Sequence, residues 1–193
     1  MDIRIKEWEK LKYIDPAAAL PKLREIQLEV NHSNLNQKVK DLRTNLLKKY
    51  LELRAAAIFC YGFSIIFNKK LFLAAASTQD RDYDIVIRNI ERDSLIYTAA
   101  QIKEVVPATI DRNADLNVTI ENLLKYTDSR ETVVIIHDNR EGIFNVKDVK
   151  IPTGLNIGGL WTMGTTVKDQ SEWFIAGDFL KEGDIYKFTY PTL

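Results

Sequence analysis

Tyr83-Asp84-Ile85-Val86-Ile87-Arg88 and, a few residues on, Ser94-Leu95-Ile96-Tyr97-Thr98-Ala99-Ala100-Gln101-Ile102-Lys103 decide how this chain is read. Both stretches are rich in β-branched and aromatic residues and predict consecutive strands. Upstream, Ser64-Ile65-Ile66-Phe67, Asn68-Lys69-Lys70 and Leu71-Phe72-Leu73-Ala74 resemble a strand, a turn and a strand. Downstream, Leu116 to Tyr126 has the spacing of an amphipathic helix, with Leu116, Ile120, Leu123 and Leu124 expected to face inward. Thr132-Val133-Val134-Ile135-Ile136-His137 is then almost continuously apolar, as expected of a strand covered on both faces. Beyond Gly142 come shorter strand-like pieces, Trp173 to Ala176 and Tyr186 to Tyr190. Strands, a helix and another strand in that order predict a mixed α/β domain.

The first third reads as helices. Trp8, Leu11 and Ile14 recur at helical spacing until Asp15-Pro16 breaks the segment, and a second helix is expected from Pro16 to about Val30. A third carries Val39, Leu42, Leu46, Leu47, Tyr50 and Leu51 and extends toward Ala55-Ala56-Ala57. Its polar side holds Lys38, Lys40, Arg43, Lys48, Lys49 and Arg54 against Asp41 and Glu52, a locally basic face. The organisation expected is an N-terminal helical region over 1–37 and an α/β domain over 38–193.

The chain has 193 residues, 46% of them hydrophobic and 28% charged, with 27 Lys and Arg against 27 Asp and Glu. Such values describe a globular chain and exclude collagenous or low-complexity classes. A net charge of zero argues against binding nucleic acid or anionic membrane over the whole surface, though not through a local groove. One cysteine, Cys60, forms no internal disulfide, and the charged segment Met1 to Lys6 lacks the apolar run of a signal peptide. The apolar piece Ala55 to Phe67 is shorter than the roughly 20 residues of a spanning helix. A cytoplasmic protein without a membrane partner is expected.

Chemistry concentrates around Asp84. Gln101 and Lys103 share one strand face while Ile102 turns to the other. Consecutive strands usually pair, which would bring Asp84 and Gln101 to one edge of the sheet. A carboxylate, an amide oxygen and an ammonium converging there would suit Mg²⁺, which takes few oxygen ligands from protein, or Mn²⁺. Such a cation activates water and stabilises charge on a scissile phosphate, and Lys103 would orient that water or neutralise developing charge.

Asp84 followed by Gln101-x-Lys103 resembles the PD-(D/E)xK nuclease superfamily, in the Gln-x-Lys variant of Mrr-like restriction enzymes. The resemblance covers roughly Leu42 to His137. It implies a restriction-endonuclease-like fold, a mixed central sheet flanked by helices. It implies Asp84 and Gln101 as metal ligands, Lys103 as the catalytic lysine and Glu52 as the acidic residue contributed by the preceding core helix. Tyr83 stands where the family has proline, and Gln101 where it usually has a carboxylate. The activity implied is metal-dependent hydrolysis of nucleic-acid phosphodiesters, as in a DNA endonuclease of defence or repair, with Lys40, Arg43, Lys48 and Lys49 touching phosphates.

Other readings stay open. A relative without activity would keep the fold as a nucleic-acid-binding or assembly module. An interaction protein would use Trp8, Leu11, Leu20 and Leu23 to hold a partner or a second copy, as in a homodimer. More plainly, Asp84 could pair with Arg88 or cap a turn. Asp80, Asp82 and Asp84 begin like a Ca²⁺ loop but lack its glycine and distal glutamate. His137, His32 and Cys60 make no zinc site of ordinary composition. Gly154 to Gly159 lacks a phosphate-loop lysine and reads as turns, and Trp161, Trp173, Tyr186, Phe188 and Tyr190 read as core or interface aromatics.

Overall fold

Asp15 accepts a hydrogen bond from the Ala17 N–H at 2.9 Å, and Pro16 follows as the first residue of helix α2, Pro16–His32. This is the start expected where an aspartate cap precedes a proline whose missing N–H is not needed. The computed structural model describes residues 3–32, 45–76, 83–92, 94–127 and 129–191. Within them lie α1 (Ile3–Trp8), α2, α3 (Asn45–Phe67), β1 (Lys70–Ala75), β2 (Ile85–Glu91), β3 (Ser94–Val105), α4 (Leu116–Glu121), β4 (Ser129–Asp138), β5 (Ile157–Thr165), β6 (Glu172–Gly177) and β7 (Asp184–Thr189). Short 3-10 turns cover Asn122–Lys125 and Val146–Asp148.

The seven strands form one sheet in sequence order, β1 to β7. The ladder is antiparallel from β1 to β3, parallel from β3 through β4 to β5, and antiparallel again to β7. The chain is thus a mixed α/β protein built on a mixed sheet. Strand β4 explains the two-sided core. Ile135 packs with Leu20, Ile58, Leu73, Met163, Trp173 and Ile175 on the side of α2 and α3. Its neighbours Val134 and Ile136 pack with Val105, Ile120, Leu123 and Leu160 on the side of α4. Each such Ile or Leu, fully buried, stabilises the fold by about 1.5–3 kcal/mol. A third cluster joins Trp8 of α1 to Tyr83, Val86 and Ala99.

Helix α3 approaches the sheet closely at Gly62. A Cβ on Gly62 would stand 2.5 Å from the Phe188 ring and 2.8 Å from Ile175. Leu47–Phe67 has the length and apolarity of a membrane-spanning helix, yet Ala55 to Cys60 lie against the sheet.

Several local expectations are corrected. Ser64 to Phe67 are the last turn of α3 rather than a strand. A short apolar run cannot be assigned by periodicity alone, and the helix stops only where Asn68 turns left-handed at φ 50°. Ile14 belongs to no helix: α1 ends at Trp8, and Ile14 exchanges backbone bonds of 2.9 and 3.1 Å with Leu73, covering part of the outer edge of β1. The α4 segment tightens to 3-10 geometry after Glu121, and that change of period leaves Leu124 41% exposed. Ile157-Gly158-Gly159 open β5 instead of forming turns. A Cβ on Gly158 would meet the Arg130 carbonyl oxygen at 2.7 Å, so this glycine permits close approach to β4.

Candidate active site

Asp84 sits immediately before β2 but is already locked into the ladder. Its N–H donates to the Ala100 carbonyl at 3.0 Å, and its own carbonyl accepts from Ala76 N–H at 2.8 Å. The last regular pair between β2 and β3 is Ile85 with Ala100, so Gln101 and Ile102 run on past the end of β2. There the Asp84 side chain takes over: Oδ2 accepts from Ile102 N–H at 2.9 Å and from Gln101 Nε2. Tyr83, where the resemblance expected proline, is fixed by the Trp8 indole, which donates to its hydroxyl at 2.9 Å with the rings edge to face. Helix α1 therefore supports the backbone that presents Asp84.

Burial is the main influence that raises the Asp84 carboxyl above the ordinary aspartate range, against the pull of the Ile102 N–H, the Lys103 ammonium and the Lys48 ammonium. Glu52 on α3 is raised too, first by burial and then by the negative charge of Asp84, while Lys48 and Lys103 oppose the rise. Lys48 holds Glu52 at 3.5 Å, one helical turn away. Gln101 is buried, at 8% exposure. Lys103 reaches over the Tyr126 ring, its ammonium 5.5 Å from the centroid. Glu52, Asp84, Gln101, Lys48 and Lys103 thus occupy one neighbourhood, in which two partly buried carboxylates repel each other between two ammonium groups. Farther along β3, Val105 lines a cavity of about 290 Å³ with Asp115, Asp138, Arg140, Phe144 and Asp148.

The sequence places Asp84 beside Gln101, and the structure joins them. Lys48, expected on a phosphate-binding face, is exposed on α3 and pairs with Glu52. Lys49 is exposed on α3, while Lys40 and Arg43, like Asp80 and Asp82, lie outside the described residues. Arg88 is no partner for Asp84: its guanidinium stacks over Tyr13 at 4.2 Å and Phe72 at 5.0 Å. Tyr126 carried no sequence signal as a neighbour of Lys103, because that contact depends on how the segment after α4 returns to the sheet.

Among the described residues, no group of three or more His, Cys, Asp and Glu side chains could hold a metal. The donor set around Asp84 is smaller: two carboxylates and one amide oxygen. That set fits Mg²⁺ or Mn²⁺, because such ions bind through one or two carboxylates together with substrate phosphates. The mutual repulsion of Glu52 and Asp84 is what a cation would relieve. No family model matches the chain, and no curated protein or solved structure matches it significantly.

Proposed function

We propose that the chain is a metal-dependent hydrolase of nucleic-acid phosphodiesters, of restriction-endonuclease-like type and acting on DNA. The observation that carries this reading is the convergence of Asp84, Gln101 and Lys103 on one side of β3 with Glu52 near enough for its charge to be felt. The order α3, β1, β2, β3, α4, β4, with β3 and β4 parallel, supports the same reading. Asp84, Glu52 and the Gln101 amide oxygen would hold Mg²⁺ or Mn²⁺. The ion would supply Lewis acidity at the phosphate and lower the pKa of water.

The residues of the chain do the rest. Gln101 spends its N–H on Asp84, which leaves its amide oxygen as the acceptor for a cation. Tyr126 limits where the Lys103 ammonium can go, leaving it to face a phosphate and offset charge that develops there. Lys48 pairs with Glu52 and opposes the rise that burial and Asp84 impose on its carboxyl.

Cleavage of supercoiled plasmid and of single-stranded DNA with Mn²⁺ or Mg²⁺ tests the reading. Wild type should cut, and Asp84→Ala and Lys103→Ala should each lose about 10²-fold or more. Equal cutting by all three proteins would overturn it. A second reading, a binding module without turnover, is favoured by one observation: both bonds to Asp84 Oδ2 come from the protein itself. Wild type that binds DNA with a steep salt dependence but never cuts would support it.

A further inference from the structure

Arg54 on α3 is the one charged side chain among the described residues that is fully buried, at 4% exposure. Its guanidinium lies between the rings of Trp173 and Tyr190, 5.7 and 5.9 Å from their centroids. The Tyr190 hydroxyl bonds it as well. Nη2 donates to Gln170 Oε1 at 2.9 Å, but Nε has no partner. Nε–H and the neighbouring Nη2–H form one edge of a guanidinium, a fork shaped for two oxygens of a single anion. In Arg54 one of these two nitrogens donates to the Gln170 oxygen and the other has no partner.

A second guanidinium uses the same oxygen. Arg24 Nη1 on α2 donates to Gln170 Oε1 at 2.8 Å and to Gln27 Oε1 at 3.1 Å, while its Nη2 donates to the Asp169 carbonyl at 3.0 Å. Among the described residues neither arginine is in an ion pair. The nearby Asp169 carboxylate feels the charge of Arg24, but it is exposed and bonds its own turn, at Ser171 N–H and Oγ. Two like charges thus share one neutral oxygen, and a buried donor beside it is unfilled, which is costly unless a partner is bound.

We propose that Arg24 and Arg54 form a binding site for a phosphate-type oxyanion, which displaces the Gln170 amide oxygen and fills both halves of the Arg54 fork. A phosphate group can place two oxygens in the Arg54 fork and still offer a third to Arg24. Gln170 is the natural gate: it is half-buried, at the turn between β5 and β6, with φ 58°. The site stands independently of the nuclease reading, being built from other residues.

Thermal unfolding with inorganic phosphate, against chloride at matched ionic strength, tests this. Wild-type Tm should rise saturably with phosphate. Arg24→Gln, at a half-exposed position, should weaken phosphate by about tenfold or more. Gln170→Glu provides both oxygens from within the chain, so it should raise Tm in phosphate-free buffer and remove the response to phosphate. No saturable shift in wild type, an undiminished shift in Arg24→Gln, or a Gln170→Glu protein less stable than wild type without phosphate would each overturn the proposal. A short oligothymidylate in place of phosphate identifies the source of the group. A shift that Arg24→Gln abolishes assigns the site to a nucleic-acid phosphodiester, and a response to inorganic phosphate alone assigns it to a free phosphate group.

Discussion

The Gln101 side chain donates its amide N–H to Asp84 Oδ2 across the end of the β2–β3 ladder. The position where the PD-(D/E)xK nucleases that the motif resembles usually carry a second carboxylate is therefore occupied by a group that neutralises no charge but fixes the one carboxylate beside it. In the cation-free protein this favours the amide. A glutamate there would lose the donated bond and face Asp84 with like charge.

Gln101→Glu is accordingly expected to destabilise the cation-free protein by about 1–3 kcal/mol. Added Mn²⁺ should restore most of that loss, with an apparent affinity higher than that of wild type. Chemical denaturation with and without Mn²⁺ measures both effects. An equally stable Gln101→Glu protein that ignores Mn²⁺ would remove the case for a cation at Asp84.

Asp84 is held above the ordinary aspartate range mainly by burial. Folding therefore favours its protonated form. The stability this group contributes is fully present below its unfolded pKa and is lost as pH rises through the folded value. Asp84→Asn removes that dependence, and its stability relative to wild type should increase from strongly acidic pH toward neutral pH. Denaturation of both proteins across that range reads the difference directly. The reverse trend would mean that Asp84 gains more from its hydrogen bonds than it loses by burial.

Gly62 lies within α3, where alanine is ordinarily favoured over glycine by about 1 kcal/mol. Here the added methyl meets Phe188 and Ile175 well inside contact distance. Gly62→Ala should destabilise the protein by about 1–3 kcal/mol despite the gain in helix propensity. A raised denaturation midpoint would show that α3 can move away from β6 and β7 without loss.

Cys60 is fully buried, and burial pushes its thiol up to about 12. It should resist thiol reagents at mildly alkaline pH in the folded state and react with one equivalent in denaturant. Ready labelling under native conditions would place α3 in frequent local opening.

Much of the sheet and part of the site were legible because their signals are local. Asp84, Gln101 and Lys103 could be joined from strand alternation and the habit of consecutive strands to pair. Strand β4 announced its two covered faces by its unbroken apolar run. What escaped depended on distance along the chain. Strand β5 begins with Ile157-Gly158-Gly159, residues of turn-like composition, and is a strand because β4 and β6 flank it. Ile14 follows residues spaced for a helix but is claimed by Leu73. Arg54 read as one more charge on a polar helix face. Only the arrival of Trp173, Tyr190 and Gln170 from the far end of the chain encloses it.

Each strand of the sheet neighbours the next strand made, so during synthesis the growing edge always offers a template and no strand must be threaded between two finished ones. Helix α3 has the opposite experience. It emerges before every strand, yet its apolar side is closed only when β6 and β7, with Trp173, Ile175 and Phe188, have left the ribosome. Until then the nascent chain carries an incompletely covered segment as long and apolar as a membrane span. That interval is when the protein is most open to capture by chaperones that recognise exposed apolar helices, and slowing elongation across the last strands would prolong it.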